Sequence, residues 1–183
     1  MKLVLVLMLS LAGAVAQAQV KGPIERYTAT TANVVGSGEP ITIELLKWST
    51  DADRDRLLSV LAWYGDKEVA ASMQTVGYLW TSASAGYSIR YAYKVAAADG
   101  SQRIILLTDR KLGYYSADAW KPSAAATGDD RPFSVIELRV NRAGQGEGKT
   151  SLTTKTVVDP ASKSLALDNY AAQPVILKGV AKK

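Results

Sequence analysis

Hydrophobic and polar positions alternate loosely along much of the chain, which predicts a protein built largely of short strands. Arg26 to Val34 (RYTATTANV) is threonine-rich and alternating, and Gly36-Ser37-Gly38 breaks it before a second run, Ile41 to Trp48 (ITIELLKW). The period then changes. Ser49 and Thr50 stand before Asp51, Asp53 and Asp55, and Leu57, Val60, Leu61 and Tyr64 recur at helical spacing until Gly65. Asp66 can open a second short helix through about Met73, after which Val76 to Thr81 (VGYLWT) returns to strand character.

The segments YSIRYAYKV and QRIILLTD flank Ala98-Asp99-Gly100-Ser101, and Asp-Gly is a strong hairpin signal. A two-residue turn there predicts Val95 opposite Ile104, Tyr93 opposite Leu106, Tyr91 opposite Thr108 and Arg90 opposite Asp109. Because Ile104 to Leu107 is apolar on both faces, this strand is expected to lie centrally, covered on both sides, with the helix pair as one cover. An irregular stretch, Arg110 to Arg131, follows, long enough to be a functional loop or a mobile one. Four further strands are read at Phe133 to Asn141, Leu152 to Val158, Leu165 to Asn169 and Val175 to Val180. The predicted fold is a strand-dominated α+β domain: an antiparallel sheet of about eight or nine strands, curved or partly closed, with an early helical insertion over about residues 51–73.

The start of the chain reads differently. Lys2, the apolar run Leu3 to Leu11 and the small residues of Ala16-Gln17-Ala18 form a secretory signal, with cleavage expected after Ala18 or, by the same criterion, after Ala16. The expected arrangement is a signal peptide at 1–18 and one β-rich domain at 19–183, working in the periplasm or secreted. No cysteine is present to carry a lipoprotein anchor, and no later segment approaches a membrane-spanning length. Loss of the first 18 of 183 residues takes the basic count from 22 to 21 against 17 acids, a net charge of +4 that is dispersed along the chain. No nucleic-acid partner is expected from so diffuse a charge.

Composition then limits the chemistry. With neither cysteine nor histidine, thiol and imidazole nucleophile systems and the usual imidazole or thiolate metal sites are excluded. No cofactor or metal site is expected. Two near-motifs fail on inspection. Gly144 to Thr150 (GQGEGKT) ends like a phosphate-binding loop, but position 143 is Ala143 and the sequence after Thr150 is strand-like, so a glycine-rich loop between strands is expected. Asp51, Asp53 and Asp55 imitate the opening of a calcium loop, but Arg56 and Ala62 stand where its glycine and glutamate belong.

The aromatic inventory is the least ordinary feature: nine tyrosines and four tryptophans against the single Phe133. Tyr78 and Trp80 fall on one face of their strand, and Tyr87, Tyr91 and Tyr93 on one face of the next. With Tyr114, Tyr115 and Trp120 of the irregular stretch, they are the candidate ligand-binding residues, a surface suited to a small molecule, a glycan or an envelope protein. No catalytic residue is assigned. Glu44, Asp109 and Glu137 are the strand carboxylates that a hydrolase or isomerase would need paired, the alternative reading. A structural envelope protein with an exposed apolar patch is a third.

The segments Glu25 to Leu58, Thr75 to Tyr93, Arg103 to Tyr115 and Pro132 to Leu152 resemble a group of exported bacterial proteins without an assigned function. That resemblance carries over no catalytic or binding residue.

Overall fold

The computed structural model describes residues 22–63, 65–82 and 85–183. The signal segment and Tyr64 lie outside them. The described residues form ten strands: β1 (Glu25–Thr31), β2 (Pro40–Leu45), β3 (Gly77–Thr81), β4 (Tyr87–Ala96), β5 (Gln102–Thr108), β6 (Val135–Val140), β7 (Gln145–Thr150), β8 (Thr156–Asp159), β9 (Ser164–Leu167) and β10 (Leu177–Lys182). Eight of these close into an antiparallel barrel in the order β1-β10-β7-β6-β5-β4-β3-β2, while β8 and β9 pair only with each other. Closure removes the unpaired sheet edges that an open sheet would expose. Helices α1 (Asp51–Trp63) and α2 (Asp66–Ser72) form the early insertion, and α3 (Ala117–Trp120) is one short turn. Among the described residues no helix is long and apolar enough to cross a membrane.

α1 starts where the sequence places it because Thr50 and Asp53 form a reciprocal capping box. The Thr50 amide donates to Asp53 (2.8 Å) and the Asp53 amide to the Thr50 hydroxyl (3.2 Å). Gly65, at φ 80°, ends it.

Two apolar clusters sandwich the central strands. The first fills the barrel with Ile41, Ile43, Leu79, Ile104, Leu106, Ile136, Leu138 and their neighbours. An eight-stranded barrel has room for its own side chains or for one small ligand, and here side chains occupy it. The second lies outside, where Leu57 and Val60 of α1, Val69 of α2 and Leu165 and Leu167 of β9 pack on Tyr91, Ile105, Leu107 and Val135. Ile104 to Leu107 are accordingly all at 0 % exposure, and β5 is covered on both sides as its apolar run implies.

Three details of the sequence reading are corrected. The β4–β5 register is one residue away from that expected: Val95 pairs with Arg103, Tyr93 with Ile105 and Tyr91 with Leu107. A two-residue type I′ turn would require positive φ at both Asp99 and Gly100, and only Gly100 (φ 82°) has it. Instead Asp99 accepts from the Ser101 amide (2.9 Å) and hydroxyl (2.6 Å), and the Ala97 amide donates to the Ser101 carbonyl (2.9 Å), closing a three-residue loop. The shift brings Ile104 and Leu106 inside the barrel and turns Ile105 and Leu107 outward. At the far end of the hairpin, Asp109 lies beside Ser88, whose carbonyl accepts from the Asp109 amide (2.8 Å), while Arg90 donates to the Met73 carbonyl (3.2 Å).

The second correction concerns the glycine-rich stretch, which is not a loop: Gln145–Thr150 is barrel strand β7. A Cβ on Gly146 would stand 1.9 Å from the Arg139 carbonyl oxygen, and one on Gly148 would stand 2.6 Å from a Leu138 methyl. These glycines serve close strand and side-chain approach. The third is the strand expected at Leu152 to Val158, which begins only at Thr156. Before it, the Thr153 hydroxyl donates to the Thr150 carbonyl (3.1 Å) and the Leu152 amide to the Thr150 hydroxyl (3.4 Å), holding the backbone in a turn.

Candidate functional site

The eight aromatic candidates do not share one surface. Tyr78 (43 % exposed) and Trp80 are on the outer face of β3, beside Glu44 and Thr42 of β2. Tyr91 and Tyr93 stack at 5.8 Å on the outside of β4, where the Tyr93 hydroxyl donates to Asp51 of α1 (2.7 Å). Tyr87 is inside the barrel. A register shift between Ile89 and Tyr91 reverses the alternation, which the sequence pattern did not signal. The Ser49 backbone fits beside the altered strand: its amide donates to the Ala92 carbonyl (2.7 Å), and its hydroxyl accepts from the Ala92 amide (3.0 Å).

The third group sits at one end of the barrel. The Arg110 to Arg131 stretch folds inward and places Trp120, 0 % exposed, into the barrel core 6.4 Å from Tyr87. The Tyr87 hydroxyl accepts from the amides of Gly113 (3.0 Å) and Tyr115 (3.4 Å). Tyr114 and Tyr115 remain exposed under the Arg110 guanidinium, at 4.8 and 5.4 Å. Tyr87, Tyr91 and Trp120 are fully buried and offer no ring face to a ligand.

The strand carboxylates do not converge either. Glu44 pairs with Arg26 on the outer face of β2. Asp109 accepts from the Ser88 amide (3.1 Å) just past the end of β5. Glu137 of β6 pairs with Ile105, four positions back along β5 from Asp109, or about 13 Å at strand rise. The three aspartates of the false calcium loop are spent on Thr50, Tyr93 and Arg54.

What the structure does assemble lies at the opposite end of the barrel. The β4–β5 tip (Ala97 to Ser101), the β6–β7 tip and the β8–β9 turn enclose a groove of about 660 Å³. That volume falls in the range of small-molecule sites. Val95, Ala96, Ala97, Val140 and Ala161 supply apolar walls, and Gln102, Asn141 and Gln145 supply amides.

Two arginines line this groove, and they stand directly opposite each other: Arg103 of β5 is the register partner of Arg139 of β6. Like charges so placed repel. Each is compensated from a different side. Arg103 donates through Nη2 to Asp159 at the end of β8 (2.6 Å) and to the Ser162 hydroxyl of the β8–β9 turn (2.5 Å). Hydrogen bonds from Ser162 first, and then from Arg103, hold the Asp159 carboxyl down at about 2. Arg139 donates through Nε and Nη2 to Glu137, both at 2.9 Å, and its guanidinium lies over the Tyr170 ring at 3.7 Å.

Behind Arg139 the arrangement is dry. Glu137 is 0 % exposed and its second oxygen accepts from the Leu167 amide (2.9 Å). The buried Lys149 donates to the Tyr170 carbonyl (2.9 Å) and contacts the same ring at 4.4 Å. Burial first, then the nearby Glu147, hold the Tyr170 phenol above its ordinary value, so it stays neutral. Arg139 is therefore fixed by a carboxylate and a ring while half its side chain stays exposed. This groove was not legible in the sequence. Arg103 and Arg139 lie 36 positions apart across the irregular stretch, and only the β5–β6 register makes them neighbours.

Comparison of the chain with protein families, with characterised proteins and with solved structures finds no match.

Proposed function

We propose that this chain is an exported, non-catalytic binding module that takes a small ligand in the groove between its hairpin tips. The observation that carries the reading is the pairing of a side-chain-filled barrel with an exterior groove whose arginines are held in place before any ligand arrives. A filled barrel leaves binding to the outside, and pre-set polar groups lower the ordering cost of binding. Support for export comes from Lys2, the run Leu3 to Leu11 and Ala16-Gln17-Ala18, with release into the periplasm or beyond after Ala18. The engaged and separated carboxylates weigh against the hydrolase or isomerase reading.

A second reading has its own observation. Tyr78 and Trp80 form an open platform on β3 whose cross-strand neighbours Glu44 and Thr42 carry hydrogen-bonding groups, an arrangement that suits a glycan.

The test is purification of the protein from its own envelope fraction, with retained molecules identified by mass spectrometry. The groove reading expects a small molecule with the wild-type chain and its loss in Ala161→Trp, where an indole fills the groove. A molecule lost instead in Trp80→Ala would move the site to β3. Recovery of nothing but a protein partner that survives Ala161→Trp would reject the groove.

A further inference from the structure

Resting on the groove as the binding site, we infer that its ligand is an amphipathic carboxylate, with the acid group held between Arg103 and Arg139 and the apolar body along Val95, Ala97 and Ala161. Each guanidinium has five N–H donors in a planar fork. Arg103 spends only Nη2 on Asp159 and Ser162, and Arg139 spends Nε and Nη2 on Glu137. The Nε and Nη1 of Arg103 and the Nη1 of Arg139 have no protein acceptor among the described residues. Two arginines that face each other across a ladder, each with donors to spare, are matched by one oxyanion between them, which also relieves their mutual repulsion.

The groups around the groove favour an acid over a base. The carboxylates around it are already engaged: Asp159 by Arg103, Ser162 and the Ala161 amide, Glu137 by Arg139 and the Leu167 amide, and Glu147, the register partner of Arg139 on β7, by Lys149 at 3.5 Å. Asp99, on the neighbouring tip, is turned onto Ser101. Beyond the shared wall of Gln102 and Asn141, a small polar pocket of about 190 Å³ is lined by Arg142 and Lys182. Lys182 also reaches Glu25 (3.0 Å), a carboxylate it shares with Lys94 (3.5 Å), and Arg142 has no acid within ion-pair distance among the described residues. Arg142 thus leaves an unpaired positive charge beside the groove. Beside the cations the walls are mostly aliphatic, with a few amides, so a fully polar anion would leave apolar surface uncovered, and an uncharged chain would leave the guanidinium donors unmet.

The class is tested with two probes on the full chain, decanoate and its neutral isostere decanamide, titrated calorimetrically at low salt and again at 0.5 M NaCl. One-to-one binding of decanoate is expected, with decanamide weaker by about tenfold or more, the value of a charge-assisted bond. The preference should shrink at high salt. Arg103→Gln and Arg139→Gln should bring decanoate to the level of decanamide. The two-probe comparison on the wild-type chain decides the matter even where loss of Arg139 unfolds the protein by stranding Glu137. Equal binding of both probes, lost in Ala161→Trp, would overturn the carboxylate assignment and leave the groove standing. Binding of either probe that Ala161→Trp leaves unchanged would overturn the groove itself. Failure of both probes to bind rejects the amphipathic class, while the co-purification experiment remains able to support the groove with another ligand.

Discussion

Arg139 and Asp159 show how single side chains are held at the groove. Asp159 is depressed from an ordinary 3.8 to about 2, first by Ser162 and then by Arg103. A carboxyl lowered on folding adds stability that is complete above its unfolded value and lost as pH falls through the folded one. The β8–β9 turn should therefore hold fully above about pH 4 and loosen between pH 4 and 2. Asp159→Asn removes that dependence, so its unfolding midpoint in urea should be lower than wild type at pH 7 and converge with it near pH 2. Parallel curves over that range would show that the ion pair contributes nothing. In the sequence, Asp159 reads only as part of a turn and Arg139 only as an outward polar position in a strand. The Arg103 partner of Asp159 comes from 56 positions away, and the Tyr170 ring from 31 positions away from Arg139.

Among the elements, the ones with local rules are those the sequence announces. α1 carries its cap, its stop and its buried apolar positions Leu57 and Val60 within the 16 residues from Thr50 to Gly65, and it forms where it is read. The strands with clear alternation are likewise found within a few residues of their expected bounds. β7 is the instructive miss. GQGEGKT has almost nothing of a strand in its composition, and it becomes one because two neighbouring strands demand it: Gly146 and Gly148 admit Val140, Leu138 and Leu177 at distances that a side chain would block. Gly146→Ala is expected to cost about 1–3 kcal/mol or more, read from chemical denaturation, because its methyl would meet backbone rather than a side chain that can turn away. A neutral outcome would show that β6 and β7 can part without loss. Gly22→Ala, with open space around it, is the control and should change nothing.

The whole molecule is a closed barrel with a lid at one end and a groove at the other. Trp120 makes the lid: the irregular loop carries it into the core, where its ring is entirely buried against Tyr87. Trp120→Ala should cost about 3–5 kcal/mol in urea unfolding, the usual range for emptying so large a core position. It should also leave decanoate binding intact, since the groove is at the opposite end. Loss of both together would mean that the two ends are coupled. The α+β class, the early helix pair and the double covering of β5 were determined by sequence alone, and export is an expectation from it, because each depends on runs of residues close together in the chain. The hairpin register turned on the φ of Asp99 and the facing of Tyr91 on one extra residue in β4, choices that neighbouring strands make. The arginine pair and the separation of the tyrosines were decided only by tertiary structure, for the physical reason that closure of the barrel, not the order of residues, sets which side chains meet.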